Sequence, residues 1–302
     1  MLIIKIIIFI ILFLFIFSLL VFIALQPKSF NIDAQPPKKD SPTYPDWQAF
    51  MTAKKEIWTI QSTKNQPLEA WYLPADQPTT KTVLLANGYH SNRIAFAAFC
   101  WLFHSLGYNV LETTYTGARD SSGFFIGFGW TDRENYLHWI QEIIRKNGAD
   151  SEILLFGISM GGASVMLLSG ETLPVQVKAI INDCGYSSLW DEIVFKAKHD
   201  FHLPAFPLVY LMSFWSKIFA SYFFKEVKIL DALAKNTRPI LFIHGDKDNY
   251  VPTAMVYENF SAVADDVTKQ LWIAKDTGHA GSYDKHKAEY TQVIRDFLQE
   301  NF

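Results

Sequence analysis

The sequence predicts an α/β fold: a mostly parallel central sheet with helices on both faces. Three observations predict it. Short β-rich apolar runs alternate with helical runs from about Glu56 to the C-terminus. Runs such as "TVLLANGY" are apolar almost throughout, as a strand buried on both faces must be. The chain is 302 residues long and half of them are apolar, enough for one large domain with a substantial core.

The N-terminus stands apart from this pattern. Ile6 to Leu25, "IIIFIILFLFIFSLLVFIAL", carries no charge. At about 1.5 Å per residue it spans about 30 Å, the thickness of a bilayer core. A cleaved signal peptide has a shorter apolar region and a small-x-small cleavage site, which the surroundings of Ala24 do not offer. Residues 1–25 therefore read as one transmembrane anchor. Residues 26–47 hold Pro27, Pro36, Pro37, Pro42 and Pro45, and read as an extended spacer that lifts the domain off the bilayer. Residues 48–302 form the folded domain.

Within that domain, "EIWTIQS" and "LEAWYLPA" form an antiparallel pair joined at Lys64 to Pro67. The strand "TVLLANGY" leads into the helix "FAAFCWLFHSLG", stopped at Gly107. After the strand "NVLETTYTG" comes the amphipathic helix "DRENYLHWIQEIIRKNG", acidic early, basic late and closed by Gly148. "EILLFGIS" and "VKAIINDCG" are strands flanking a helix that starts near Met160. "PILFIHGDKD" and "QLWIAKDTGH" are the last two strands, each followed by a helix. Between the third and second strands from the C-terminus, Phe201 to Phe224 is crowded with aromatics. That segment suits a small helical cap over about residues 188–230, and its apolar residues, with Phe206 and Trp215 as examples, suit the lining of an apolar substrate pocket. An ordinary buried helix and contact with a membrane surface are the competing readings.

In open α/β sheets, sites gather beyond the C-terminal ends of the strands. Those positions hold Gly88, Tyr89 and His90, then Ser159, Asp183, Asp248 and His279. Ser159 lies in "GISMG", between a strand and a helix. The pattern G-x-S-x-G arises by chance in about one chain in ten of this length, so alone it is weak. A serine hydroxyl needs an imidazole to take its proton, and the imidazole needs a carboxylate to hold its tautomer. His279 and Asp248 follow the last two strands, and the order Ser159, Asp248, His279 is that of a nucleophile-elbow hydrolase. Oxyanion donors are expected from the backbone N–H groups of Met160 and Tyr89, with His90 a further pocket candidate. Asp246 and Asp183 are rival acids, placed less well to reach His279.

Other chemistries find less support. A net charge of −3 without a basic block gives no footprint for nucleic acid. Cys100 and Cys184 form no disulfide framework and no metal spacing. His199 and His202 lack a third ligand signal, and "DKDNY" lacks the glycine and distal glutamate of a calcium loop. No metal or cofactor is expected.

From about Glu56 onward the chain resembles an α/β-hydrolase. More narrowly it is similar to membrane-anchored bacterial cell-surface hydrolases, relatives of the serine aminopeptidase-like and carboxylesterase groups. The stretches that carry the resemblance are "NGYHSNR", "GFGWTDRENYLHWI", "GISMGGA", "NDCGYSSLWDE", "FIHGDKDNYVPT" and "GHAGSY". It implies Ser159 as nucleophile, Asp248 as acid and His279 as base. Relatives commonly carry His-Gly at Asn87-Gly88 and an Arg-x-His-Gly-like stretch where this chain reads "YTGARDSSG". The short N-tail before Lys5 resembles a bacterial signal-anchor, which puts the domain on the non-cytoplasmic side of the cell membrane. The expected activity is a serine hydrolase cleaving a small-molecule carboxylic ester or thioester. A serine peptidase of aminopeptidase-like type is the alternative. A membrane-tethered binding protein that kept the fold without activity comes third.

Overall fold

The computed structural model describes residues 1–29, 36–90, 93–119 and 121–302. Residues 30–35 of the expected spacer, Ser91 and Asn92 of "NGYHSNR", and Asp120 of "YTGARDSSG" lie outside the described residues.

Among the described residues the strands are β1 (Glu56–Gln61), β2 (Pro67–Leu73), β3 (Lys81–Ala86), β4 (Asn109–Thr113), β5 (Glu152–Ile158), β6 (Val177–Asp183), β7 (Ile240–Gly245) and β8 (Lys269–Ala274). They form one sheet in the order β1-β2-β4-β3-β5-β6-β7-β8. β1 pairs β2 and β2 pairs β4 antiparallel; the remaining pairs are parallel. The helices are α1 (Leu2–Ala24), α2 (Tyr44–Thr52), α3 (Ala97–Ser105), α4 (Asp132–Asn147), α5 (Met160–Leu168), α6 (Leu189–His199), α7 (Leu208–Ala220), α8 (Ile229–Leu233), α9 (Ala254–Ala262), α10 (Ser282–Lys285) and α11 (Lys287–Asn301).

Strand alternation divides the core into two layers, because successive side chains leave opposite faces. Leu84, Leu155, Ile180 and Phe242 join Trp139 and Ile143 of α4, Met166 of α5 and Val256 of α9. Val83, Phe156, Ile181 and Ile243 join Phe50 of α2, Phe103 of α3 and Phe297 of α11. Both faces of the parallel strands are covered, which is why those strands read as unbroken apolar runs. The chain steps from β3 to β4 on one side and returns to β5 on the other. This places the sheet's topological switch at the C-terminal ends of β3 and β5, beside Gly88 and Ser159.

Between β6 and β7 the chain leaves the sheet to form α6, α7 and α8, over the stretch expected as a cap. One helix among the described residues, α1, is long and apolar enough to cross a membrane, with a mean hydropathy of 3.6.

The spacer expectation is corrected. Its described part does not stand off the domain. Pro27 is buried, and the Gln26 side chain accepts the Ile126 N–H at 2.9 Å. The Thr43 hydroxyl donates to Asp284 at 2.8 Å, and Asp46 pairs with Lys287 at 2.8 Å. Pro45 sits in the first turn of α2. That is a position proline favours, because its N–H would be unused there and its φ is already helical. A proline-rich composition thus marks a helix start here rather than an extended linker.

Candidate active site

Ser159 links the end of β5 to the start of α5 with φ +56° and ψ −119°. A non-glycine residue in this region costs roughly 1–3 kcal/mol, held in place by its surroundings. The neighbours show what holds it. A Cβ on Gly157 would lie 2.2 Å from the Gly161 carbonyl oxygen, and one on Gly161 would lie 2.0 Å from that of Ala86. Only glycine lets strand and helix close to this separation. The Ser159 N–H donates to the Asp183 carbonyl at 2.8 Å, fixing the turn against β6.

The three side chains singled out at the strand ends meet in space. The His279 Nε2 lies 2.8 Å from the Ser159 Oγ, and its Nδ1 lies 2.7 Å from the Asp248 Oδ2. The Tyr250 and Val251 N–H groups donate to the other Asp248 oxygen at 2.8 and 3.0 Å. His244, the penultimate residue of β7, approaches from behind, with its Nε2 3.1 Å from Asp248 Oδ2 and 3.0 Å from the Val251 carbonyl. Burial alone would raise the Asp248 carboxyl. Hydrogen bonds from His244 and His279 outweigh it and hold the group well below the usual carboxylate range. An ionised Asp248 is the state that orients an imidazole.

The rival acids sit elsewhere. Asp246 accepts the Thr277 N–H at 3.1 Å on an exposed turn. Asp183 is fully buried, accepts the Tyr290 hydroxyl at 2.8 Å and is pushed up to about 6 by burial. Burial also raises the Cys184 thiol well above its ordinary value, which leaves it a poor nucleophile. His199 is exposed and paired with its neighbour Asp200 at 2.7 Å.

Tyr89 and Met160 flank the serine. Met160 is the first residue of α5, so its N–H has no acceptor within the helix. A Cβ on Gly88 would lie 3.4 Å from the Ser159 Cβ, so the loop after β3 passes close beside Ser159. The Tyr89 hydroxyl donates to the Leu25 carbonyl, just past the end of α1. Burial lowers the pKa of His90, which favours a neutral ring, and its imidazole lies 4.1 Å from the Tyr89 ring.

A cavity of about 600 Å³ opens at Ser159. Leu189, Ile193, Leu203, Leu208 and Met212 line it from the cap, with Tyr89, His90 and Tyr250 near the serine. Phe206 and Trp215 are not among its walls, which corrects that expectation. Phe206 is 72% exposed. Trp215 turns the other way: its ring lies 4.5 Å from Phe15, and its N–H donates to Ser18 Oγ at 3.0 Å, both on α1. An aromatic residue type does not reveal which way its helix is rotated.

Three features escape a strand-end reading. Phe17, Val21, Ala24 and Leu25 of the apolar N-terminal segment form part of the cavity wall. His244 backs Asp248. Glu192 of α6 is 5% exposed, lines the cavity, and neither carboxylate oxygen has a hydrogen-bond partner among the described residues. Burial pushes Glu192 up to about 8, opposed by Lys196. Its signal was available, since a carboxylate between Leu189 and Ile193 sits on the apolar face of an amphipathic helix.

The chain is similar to solved α/β-hydrolase structures. The esterase Pf2001 of Pyrococcus furiosus superposes with a TM-score of 0.67 at 20% identity, covering 89% of this chain and 99% of that one. The acylaminoacyl peptidase of Pyrococcus horikoshii gives 0.62 at 17% identity over 83% of this chain and 43% of that one. An esterase domain of a Rhodothermus marinus protein gives 0.59 at 19% identity, over 82% and 99%. These likenesses carry the fold. In sequence, the uncharacterized protein YqkD of Bacillus subtilis is 25% identical over 255 residues, 83% of this chain and 82% of its own. The model of the prolyl oligopeptidase family, Peptidase_S9, matches residues 101–302, which include the elbow serine and every strand from β4 onward. With this match over more than half its length and an α/β-hydrolase fold throughout, the chain is a serine hydrolase belonging to the prolyl oligopeptidase family.

Proposed function

We propose that the protein is a membrane-held esterase that cleaves carboxylic esters or thioesters through an acyl-enzyme on Ser159. The observation that carries this reading is the cavity itself: apolar walls around a serine already hydrogen-bonded to His279. In the first half-reaction His279 Nε2 accepts the Ser159 proton as Oγ attacks the acyl carbonyl. The backbone N–H groups of Tyr89 and Met160 receive the developing oxyanion; each such donor is worth about 2.7–4 kcal/mol. Collapse breaks the ester C–O bond, and His279 returns its proton to the leaving alkoxide. Water then repeats the sequence to free the acid. Asp248 stabilises the transient imidazolium throughout.

A peptidase is the second reading, and Glu192 is what favours it. Ionised, this acid would pair with a substrate ammonium. Held neutral by burial, it donates a hydrogen bond to an uncharged group instead. The esterase reading takes Glu192 in its neutral form.

The test is a panel of esters of rising acyl length beside aminoacyl amides, turned over by the full-length protein. An apolar pocket gains about 0.8 kcal/mol per buried methylene, or roughly fourfold per carbon. kcat/KM should rise with acyl length until the cavity is full and then flatten. Indifference to acyl length together with faster cleavage of aminoacyl amides would replace the esterase by the peptidase. On the same reading α1 is a retained anchor and the hydrolase domain faces the non-cytoplasmic side of a bacterial cell membrane. Protease added to intact spheroplasts should digest the domain; protection would reverse the orientation.

A further inference from the structure

The cavity and the anchor share a wall. Phe17, Val21 and Ala24 of α1, with Leu25 just past its end, line the space that contains Ser159. Beyond that wall the last turns of α1 pack against α7. Phe15 meets Trp215 at 4.5 Å and Phe214 at 6.2 Å, and Phe22 meets Phe219 at 6.1 Å.

Helix length turns these contacts into depth. The 23 residues of α1 extend about 35 Å against a hydrocarbon layer of about 30 Å, leaving roughly 5 Å to spare. Phe15 precedes Ala24 by nine residues, or about 14 Å of helix. Any element that touches Phe15 while α1 spans the bilayer therefore reaches roughly 9 Å into the apolar layer. Phe17, at one end of the cavity, lies about 10 Å along the same axis and falls inside the layer too.

The outer face of α7, with Phe206 just before its first turn, has the composition for that depth. Phe206, Tyr210, Phe214 and Ile218 recur every four residues and are 72%, 50%, 39% and 57% exposed. Lys217, the charged residue of α7, turns its ammonium back to Glu226 at 3.1 Å. The domain is also held so that it cannot swing away from the bilayer. The Lys28 ammonium donates to the Ser121 and Gly123 carbonyls, each at 2.6 Å. Gln26 accepts from Ile126, and the Tyr89 hydroxyl holds Leu25.

We propose that α7 is sunk beside α1 into one face of the bilayer, that the cavity opens there to lipid, and that the substrate is a membrane lipid whose acyl ester slides along α1 to Ser159. This rests on the esterase reading above and names its substrate class. The lipid's ester C–O bond breaks as the Ser159 Oγ–acyl bond forms, and the lyso-lipid alcohol leaves with the proton from His279. Water then releases the fatty acid. The apolar stripe meets acyl chains instead of water, and the substrate never crosses an aqueous phase.

The test uses full-length protein in vesicles of phosphatidylethanolamine and phosphatidylglycerol containing a fluorogenic diacyl phospholipid, with p-nitrophenyl acetate as the soluble comparison. Wild type should cleave both. The double variant Phe206→Glu, Ile218→Glu changes the two most exposed residues of the stripe, neither of which lines the cavity. It should lose on the order of tenfold or more on the vesicle lipid, since each carboxylate resists burial in hydrocarbon, while acetate turnover stays at the wild-type rate. Equal losses on both substrates, or no loss on either, would overturn the proposal. Ala24→Trp should shorten the preferred acyl chain; an unshifted preference would remove α1 from the cavity wall and overturn it as well. Both variants must still react with a fluorophosphonate at Ser159, which shows an assembled site. A wild type that cleaves acetate but not the vesicle lipid sinks the bilayer route alone, whereas one silent on every ester sinks the esterase reading.

Discussion

His244 and His279 approach the same carboxylate oxygen of Asp248, at 3.1 and 2.7 Å. Asp248, the proposed acid, is thus positioned by a second imidazole that does not line the cavity. His244 is fully buried, and its Nε2 also faces the Val251 carbonyl, so it ties the acid to the turn that carries it. A hydrogen bond to a charged group contributes about 1.5–3 kcal/mol. His244→Ala should lower kcat by about tenfold or more with little change in KM, because the cavity is untouched. A rise in KM at constant kcat would instead place His244 in substrate binding. His244→Gln, which keeps a donor, should recover part of the loss.

The nucleophile assignment has a direct check. A fluorophosphonate probe should label wild-type protein at Ser159 and leave Ser159→Ala unlabelled. Labelling that survives the substitution would move the nucleophile elsewhere.

The two aspartates of "GDKD" separate by function. Asp248→Asn leaves the geometry but presents the wrong partner to His279 Nδ1, and should cost on the order of 10⁴-fold in turnover. Asp246 accepts the Thr277 N–H and has no hydrogen bond to His279 among the described residues, so Asp246→Asn should change turnover little. Steady-state kinetics of the two variants decide the matter, and the reverse ranking would transfer the role.

Glu192 gives a pH signature. Its carboxyl is raised from 4.5 to about 8 in the folded protein. Across that window the folded state binds the more protons, so this group's stabilisation is complete below 4.5 and is lost as pH rises through 8. Glu192→Gln cannot titrate. It should melt higher than wild type at pH 8, with the gap closing towards pH 4.5 in thermal scans. A gap that does not vary with pH would mean that Glu192 titrates normally.

The anchor should survive maturation. Full-length protein is expected in the membrane fraction after carbonate washing, with Edman or mass-spectrometric sequencing returning the N-terminus at Met1 or Leu2. A mature end downstream of Ala24 would identify a signal peptide.

Much of the site is legible from sequence because its signals are local. Gly157 and Gly161 stand where strand and helix nearly collide, and Asp248 and His279 stand one turn past apolar runs that can only be strands. The eight-strand order, β4 lying between β2 and β3, follows from connection rules but not from any one stretch. What the sequence hides is long-range. Trp215 and Met212 are three residues apart on one helix, yet one faces α1 and the other the cavity. Their types agree with either role, and only the rotation of α7 against its neighbours distinguishes them. Nor does a run of apolar residues say that its final turns will serve a catalytic chamber.

The Tyr89 side chain grips the backbone of Leu25, and the Tyr89 N–H is the proposed oxyanion donor, so on that reading α1 and the chemistry are one mechanical unit. A version of the protein released at Trp47 for convenience would lose four wall residues and the grip on Tyr89 together. Its chamber would flood on the side where α1 had been. Such a fragment could keep its serine, histidine and aspartate in register and still report the preferences of a different catalyst: tolerant of short polar esters and blind to long chains. Substrate profiles for this enzyme therefore have meaning only when measured with α1 in place.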